Sequence, residues 1–152
     1  MRKDSLNRLV AGKIQPSRKR IVEWPEGIRF LISHENKTVR KFIKGCLKGM
    51  GCPTLLELVP TGGNILITVV QEQPHVLICS GETPEMKDWS LVRSIRNHPE
   101  VSKTKVIVVS GDSARESILG AVKAGVDDYV ILPFSASNFE ERVWVLFARG
   151  LE

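Results

Sequence analysis

Four polar side chains stand at the ends of short apolar runs, where a chain can present chemistry. His34 and Glu35 follow Ile28-Arg29-Phe30-Leu31-Ile32-Ser33, Ser80 follows His75–Cys79, and Ser110 follows Lys105–Val109. A hydroxyl, an imidazole and a carboxylate are the parts of a nucleophile-base-acid set. However, His34 and Glu35 are adjacent and project apart, and no oxyanion hole is evident, so a polar remnant is the simpler reading. His34 and Cys79 contain metal-ligating atoms, but Cys79 and Ser80 are neighbours on a strand and must face opposite ways. Neither a metal nor a cofactor is expected.

The elements that position these residues alternate in type. Ile28–Ile32, Leu55–Val59, His75–Cys79, Lys105–Val109 and Tyr129–Leu132 read as strands. Between and after them lie helical stretches: Asn36 to about Met50, a segment from Gly62-Gly63 to about Gln71, Trp89–Asn97, Ala114–Ala124, and Ser137 to about Gly150. In the first, Val39, Phe42, Ile43, Cys46, Leu47 and Met50 recur at helical spacing. Gly51 and Pro53 end it, and Gly125 closes the fourth. Five β-then-α units call for a parallel sheet with helices on both faces, because each crossover must return over the sheet. Strands such as Val106-Ile107-Val108-Val109 are apolar throughout, as burial on both faces requires. Sites in such doubly wound folds lie at the carboxyl ends of the strands, where the four polar residues fall.

Length and composition set the bounds. The 152 residues suit one domain with a tail, and no apolar run approaches a membrane span, so a cytoplasmic protein is expected. Cys46, Cys52 and Cys79 form no CxxC pair and read as reduced thiols. The net charge of +5 is concentrated in residues 1–27, where seven basic groups meet three acidic ones (+4). This extension, with Arg18-Lys19-Arg20, reads as a flexible arm. A short amphipathic helix using Leu6, Leu9 and Val10, or non-specific nucleic-acid contact, is a lesser alternative. Residues 28–150 form the domain, and Leu151-Glu152 resembles a vector-derived scar. If it is one, the chain is the front piece of a longer protein. Lys37, Arg40, Lys41, Lys44 and Lys48 make a basic helix face, read first as solvated. Trp89, Trp144 and Phe147 read as packing residues of their helices, and Gly62-Gly63 lacks the context of a phosphate-binding loop.

The motifs along residues 28–149 resemble those of response-regulator receiver domains. Arg40 lies five residues after Glu35, and Pro84-Glu85-Met86 resembles the family's Met-Pro-x-Met loop. Ala124-Gly125-Val126-Asp127-Asp128-Tyr129 resembles its Ala-Gly-Ala-Asp-Asp-Tyr turn, and Pro133-Phe134 its Pro-Phe pair. The resemblance implies a flavodoxin-like (βα)5 fold with strand order 2-1-3-4-5, and a cis Leu132–Pro133 bond. It also implies an aspartate nucleophile, an acidic pair for Mg²⁺, a Thr or Ser, and a lysine. At those positions stand Ser80, His34-Glu35, Ser110 and Leu132. Serine cannot form the acyl phosphate, Leu132 cannot hold a phosphate oxygen, and one carboxylate of three is a poor Mg²⁺ site.

The expectation is therefore a non-enzymatic pseudo-receiver. It would signal without phosphorylation through protein contacts, including a homodimer across the face built from Ala114–Ala124, Tyr129–Leu132 and Ser137–Gly150. Tyr129, Asp127, Arg115 and Arg142 are the interface candidates. The alternatives are a DNA-associated regulator, the N-terminal receiver of a longer response regulator, and a residual phosphoacceptor.

Overall fold

The computed structural model describes residues 24–148. The N-terminal arm up to residue 23 and the suspected scar lie outside them. Five parallel strands form one sheet in the order β2-β1-β3-β4-β5. They are β1 (Phe30–Ser33), β2 (Leu55–Leu58), β3 (Val76–Ser80), β4 (Lys105–Ser110) and β5 (Asp128–Ile131). The helices are α1 (Lys37–Gly49), α2 (Asn64–Glu72), α3 (Ser90–Asn97), α4 (Arg115–Ala124) and α5 (Ala136–Ala148), with a 3-10 segment at Pro84–Trp89 before α3. The doubly wound order expected from the sequence is the one observed.

Alternation along the strands builds two cores. Phe30, Ile32, Ile78, Ile107, Val109 and Val130 face α1 and α5, where Ile43, Leu47, Phe139 and Val143 pack against them. Leu31, Leu77, Cys79, Val106, Val108 and Tyr129 point the other way, toward Val69, Val92, Ile95 and Ala121 of α2, α3 and α4. The period of two makes each strand serve both layers, which is why no strand shows a polar face. Trp24, assigned from sequence to the extension, covers one end of the first core. Its ring meets Phe147 and Phe30 edge-on, and its Nε1–H donates to the Met50 carbonyl (2.8 Å).

The helix ends follow local chemistry. The Asn36 side chain accepts the Val39 N–H (3.1 Å) and caps α1. Gly125 closes α4 at φ +108°, a conformation that favours glycine. Three strands end one residue later than the apolar pattern suggests, because the ladder continues through Ser33↔Cys79, Ser80↔Val109 and Ser110↔Ile131. The hydroxyls thus belong to the last rungs of the sheet and are buried with the core.

Candidate functional site

Ser80 and Ser110 end the neighbouring strands β3 and β4 and are 0% and 1% exposed. A residue that the strand pattern does not mark, Glu82, joins them. Ser80 Oγ donates to Glu82 Oε1 (3.2 Å), and Ser110 Oγ donates to Glu82 Oε2 (2.5 Å). The Gly111 N–H also reaches Oε2 (3.2 Å), while the Glu82 N–H donates back to Ser80 Oγ (3.0 Å). Gly81 permits this fold-back. A Cβ there would lie 3.0 Å from Ser110 Cβ and 3.1 Å from Val108 Cγ1, so only glycine brings the loop this close to β4 without displacement.

From Ser110 the bonding continues outward. The Asp112 N–H donates to Ser110 Oγ (3.0 Å), and the Asp112 carbonyl accepts from Tyr129 Oη (2.6 Å). The Asp112 carboxylate accepts from Ala114 N–H and Ser117 Oγ at the start of α4, and these bonds, the Ser117 one foremost, hold its pKa down. Tyr129 is 7% exposed and meets Trp89 edge-on at 6.1 Å. Burial pushes its hydroxyl ionisation up, and the charges of Asp112 and Glu82 add to that against an opposing Ser110 hydrogen bond. Trp89 precedes α3 at φ +58° and lies against Gly120 of α4 as well as Tyr129.

On the other side of the cleft, His34 is 3% exposed. Its Nδ1 accepts the Asn36 N–H (3.0 Å), so the neutral ring carries its proton on Nε2, which has no hydrogen-bond partner among the described residues. Burial lowers the His34 pKa, against the opposing pull of Glu35 and Glu82. Arg40 donates to the His34 carbonyl (2.7 Å) and pairs with Glu57, so part of the basic face of α1 is taken up within the domain. Lys44 does the same with Glu57 (2.7 Å).

Few oxygens in the cleft are free to meet Mg²⁺. His34 turns Nδ1 to backbone, Glu35 is exposed, and the Glu82 carboxylate is engaged by two hydroxyls and an amide. Among the described residues no group of three His, Cys, Asp or Glu side chains is placed to hold a metal ion. Leu132 packs against the first core, its N–H bonded to the Ser110 carbonyl (2.9 Å), and the Leu132–Pro133 bond is cis.

The remaining sequence candidates lie on or near the outer face of α4, β5 and α5. Asp127 Oδ2 accepts from Arg96 Nη2 and from the Val106 N–H, both at 2.8 Å. Arg142 Nη1 donates to Asp128 Oδ1 (2.5 Å) and to the Tyr129 carbonyl (3.2 Å). Arg115 is exposed. The structure thus brings Ser80, Ser110 and Tyr129 into one hydrogen-bonded chain with Glu82 and Asp112, and engages Asp127 and Arg142 within the domain.

An open doubly wound sheet in this strand order, with its polar cluster at the carboxyl edge, defines a flavodoxin-like α/β domain. The sequence profile of the response regulator receiver domain matches residues 30–144, and the chain belongs to that family. It is 26% identical over 123 residues to a chemotaxis protein CheY homolog of Campylobacter jejuni, spanning 81% of this chain and 95% of the relative. It is 25% identical over 124 residues to chemotaxis protein CheY-3 of Vibrio cholerae, spanning 82% and 95%. Its fold matches solved response regulators from Chloroflexus aurantiacus (TM-score 0.71, 23% identity, 80% of this chain and 98% of that one) and Desulfuromonas acetoxidans (0.70, 16%, 81% and 98%). The chain is accordingly a receiver domain of two-component signalling. No helix among the described residues is long and apolar enough to cross a membrane.

Proposed function

We propose that this receiver acts in the cytoplasm as a non-enzymatic pseudo-receiver, signalling through protein contacts independently of phosphorylation. The observation that carries the reading is the state of Ser80. The hydroxyl standing at the nucleophile's position is buried, and its hydrogen bonds are made to Glu82 itself. An alcohol has a high pKa, and attack on a phosphoryl donor would bring the donor's negative charge against the Glu82 carboxylate. Leu132 adds no cation to offset that charge.

In this reading partners dock on the face of α4, β5 and α5. With Asp127 and Arg142 engaged within the domain, the groups it offers are Leu119, Val122, Ile131 and Trp144, all substantially exposed, beside Arg115 and Glu116. An apolar centre with a charged rim suits a two-fold contact between copies, and signalling partners use the same surface. Incubation with acetyl phosphate and Mg²⁺ followed by intact mass tests the chemistry, with an unmodified chain expected. A phosphoryl adduct lost in Ser80→Ala overturns the reading. Light scattering and partner capture with Leu119→Glu/Val122→Glu test the face: lower mass or lost capture is expected, and unchanged behaviour in both moves the contact elsewhere.

A further inference from the structure

At the carboxyl edge of the sheet, the Ser110 hydroxyl and the Gly111 N–H converge on one oxygen, and the Ser80 hydroxyl meets the second oxygen of the same carboxylate. Hydrogen-bond donors converging beside a buried strand end make a receptor for an oxyanion. We propose that Glu82 is the resident ligand of this receptor, a carboxylate tethered in the chain that occupies the anion site permanently and holds Ser110, Asp112 and Tyr129 in one arrangement. The proposal rests on the phosphorylation-independent reading and supplies its physical cause.

The bond sequence gives the direction of influence. Ser110 has one proton, and donating it to Glu82 turns the oxygen lone pairs toward the Asp112 N–H. That fixes the peptide whose carbonyl receives the Tyr129 hydroxyl. Without the Glu82 carboxylate, the Ser110 rotor is free to choose another acceptor, and the Asp112 peptide keeps only the side-chain bonds to Ala114 and Ser117. Tyr129 then loses the fixed Asp112 carbonyl and the set orientation of the Ser110 oxygen beside it, and the balance moves toward a ring exposed to water. Because Glu82 is an exposed residue reaching in from the loop, truncating it empties no part of the core. The same truncation opens a site of the right chemistry for a small free carboxylate or oxyanion.

Tyr129 is the one tyrosine of the chain, so a single fluorotyrosine resonance reports its setting. The experiment records ¹⁹F spectra of the wild-type chain, Glu82→Ala, Glu82→Gln, Ser110→Ala and the control Glu26→Gln, with the water/D₂O isotope shift of each as a measure of ring exposure. Wild type and control are expected to show a buried ring. Glu82→Ala and Ser110→Ala are expected to show an exposed or exchanging ring, and Glu82→Gln, which keeps an acceptor but no charge, an intermediate one. Adding acetate to Glu82→Ala returns the ring to its buried shift, while chloride at equal ionic strength does not. A buried ring in Glu82→Ala, or a release that acetate reverses no better than chloride, overturns the proposal. Either result leaves the phosphorylation-independent reading standing as long as acetyl phosphate adds no mass, so the two failures are distinguishable.

Discussion

Replacing Ser80 by aspartate puts a carboxylate where the structure already holds one. Ser80 Oγ lies 3.2 Å from Glu82 Oε1 and is fully buried. Two effects follow. The hydroxyl's hydrogen bond to a charged acceptor is lost, a contribution of about 1.5–3 kcal/mol. In its place come two negative charges roughly 4 Å apart, a repulsion of about 1 kcal/mol in bulk water and about 4 kcal/mol near a protein surface. Glu82 is an exposed residue and can retreat toward solvent, so the lower part of that range applies. The lost hydroxyl bond is common to Ser80→Asn, which has the same shape without the charge, so Ser80→Asp should be about 1–2 kcal/mol less stable than Ser80→Asn at pH 7.

The penalty has a definite pH dependence. Repulsion raises the folded-state pKa of the new carboxyl above its unfolded value of about 4. The loss is thus absent below the unfolded pKa and develops as pH rises through the folded one. Urea unfolding at pH 7 and near pH 4.5 reads this directly, and Glu82→Gln added to Ser80→Asp should restore at least about 1 kcal/mol. A Ser80→Asp protein as stable as Ser80→Asn at pH 7, or one that Glu82→Gln does not rescue, would show that Glu82 is not held over the cleft.

Three further outcomes are expected. Gly81→Ala forces a methyl within about 3 Å of Ser110 Cβ and Val108 Cγ1, and should cost about 1–3 kcal/mol as a lower urea midpoint at unchanged slope. Arg96 binds the carbonyls of Ser102, Thr104 and Gly125 together with Asp127, so Arg96→Met should lose about 2–3 kcal/mol in the same assay, with an unaltered midpoint contradicting a structural role. Burial pushes the thiols of Cys46 and Cys79 up to about 12 and that of Cys52 to about 11. A disulfide-exchange reagent at pH 8 should therefore modify them only as the chain unfolds, and rapid titration of the folded protein would contradict the packing.

The fold was legible because its signals are local and periodic. Apolar runs bounded by Gly51, Pro53 and Gly125 repeat the β-then-α unit, and topology rules leave few ways to arrange five of them. The strand-end positions His34, Ser80 and Ser110 were legible for the same reason. Glu82 was not, because it has no place in either period. Its location depends on Gly81 approaching β4, a contact between residues some thirty positions apart. The glycine between two polar residues just beyond a strand was the one available signal. The charges at Asp127 and Arg142 show the converse. On sequence they belong to an outer face, yet Arg96, thirty-one residues from Asp127, takes up the first. Asp128, fourteen residues from Arg142, takes up the second. Spacing cannot reveal capture across a sheet.

The most direct test of the central claim follows the single tyrosine while a phosphoryl donor is present. Fluorotyrosine-labelled protein is recorded before and after acetyl phosphate and Mg²⁺, with intact mass taken on the same sample. An anion site already filled by Glu82 and a serine that does not accept phosphate predict superimposable spectra and unchanged mass. A new Tyr129 resonance that appears together with one added phosphoryl group, and is absent from Ser80→Ala, would contradict the account.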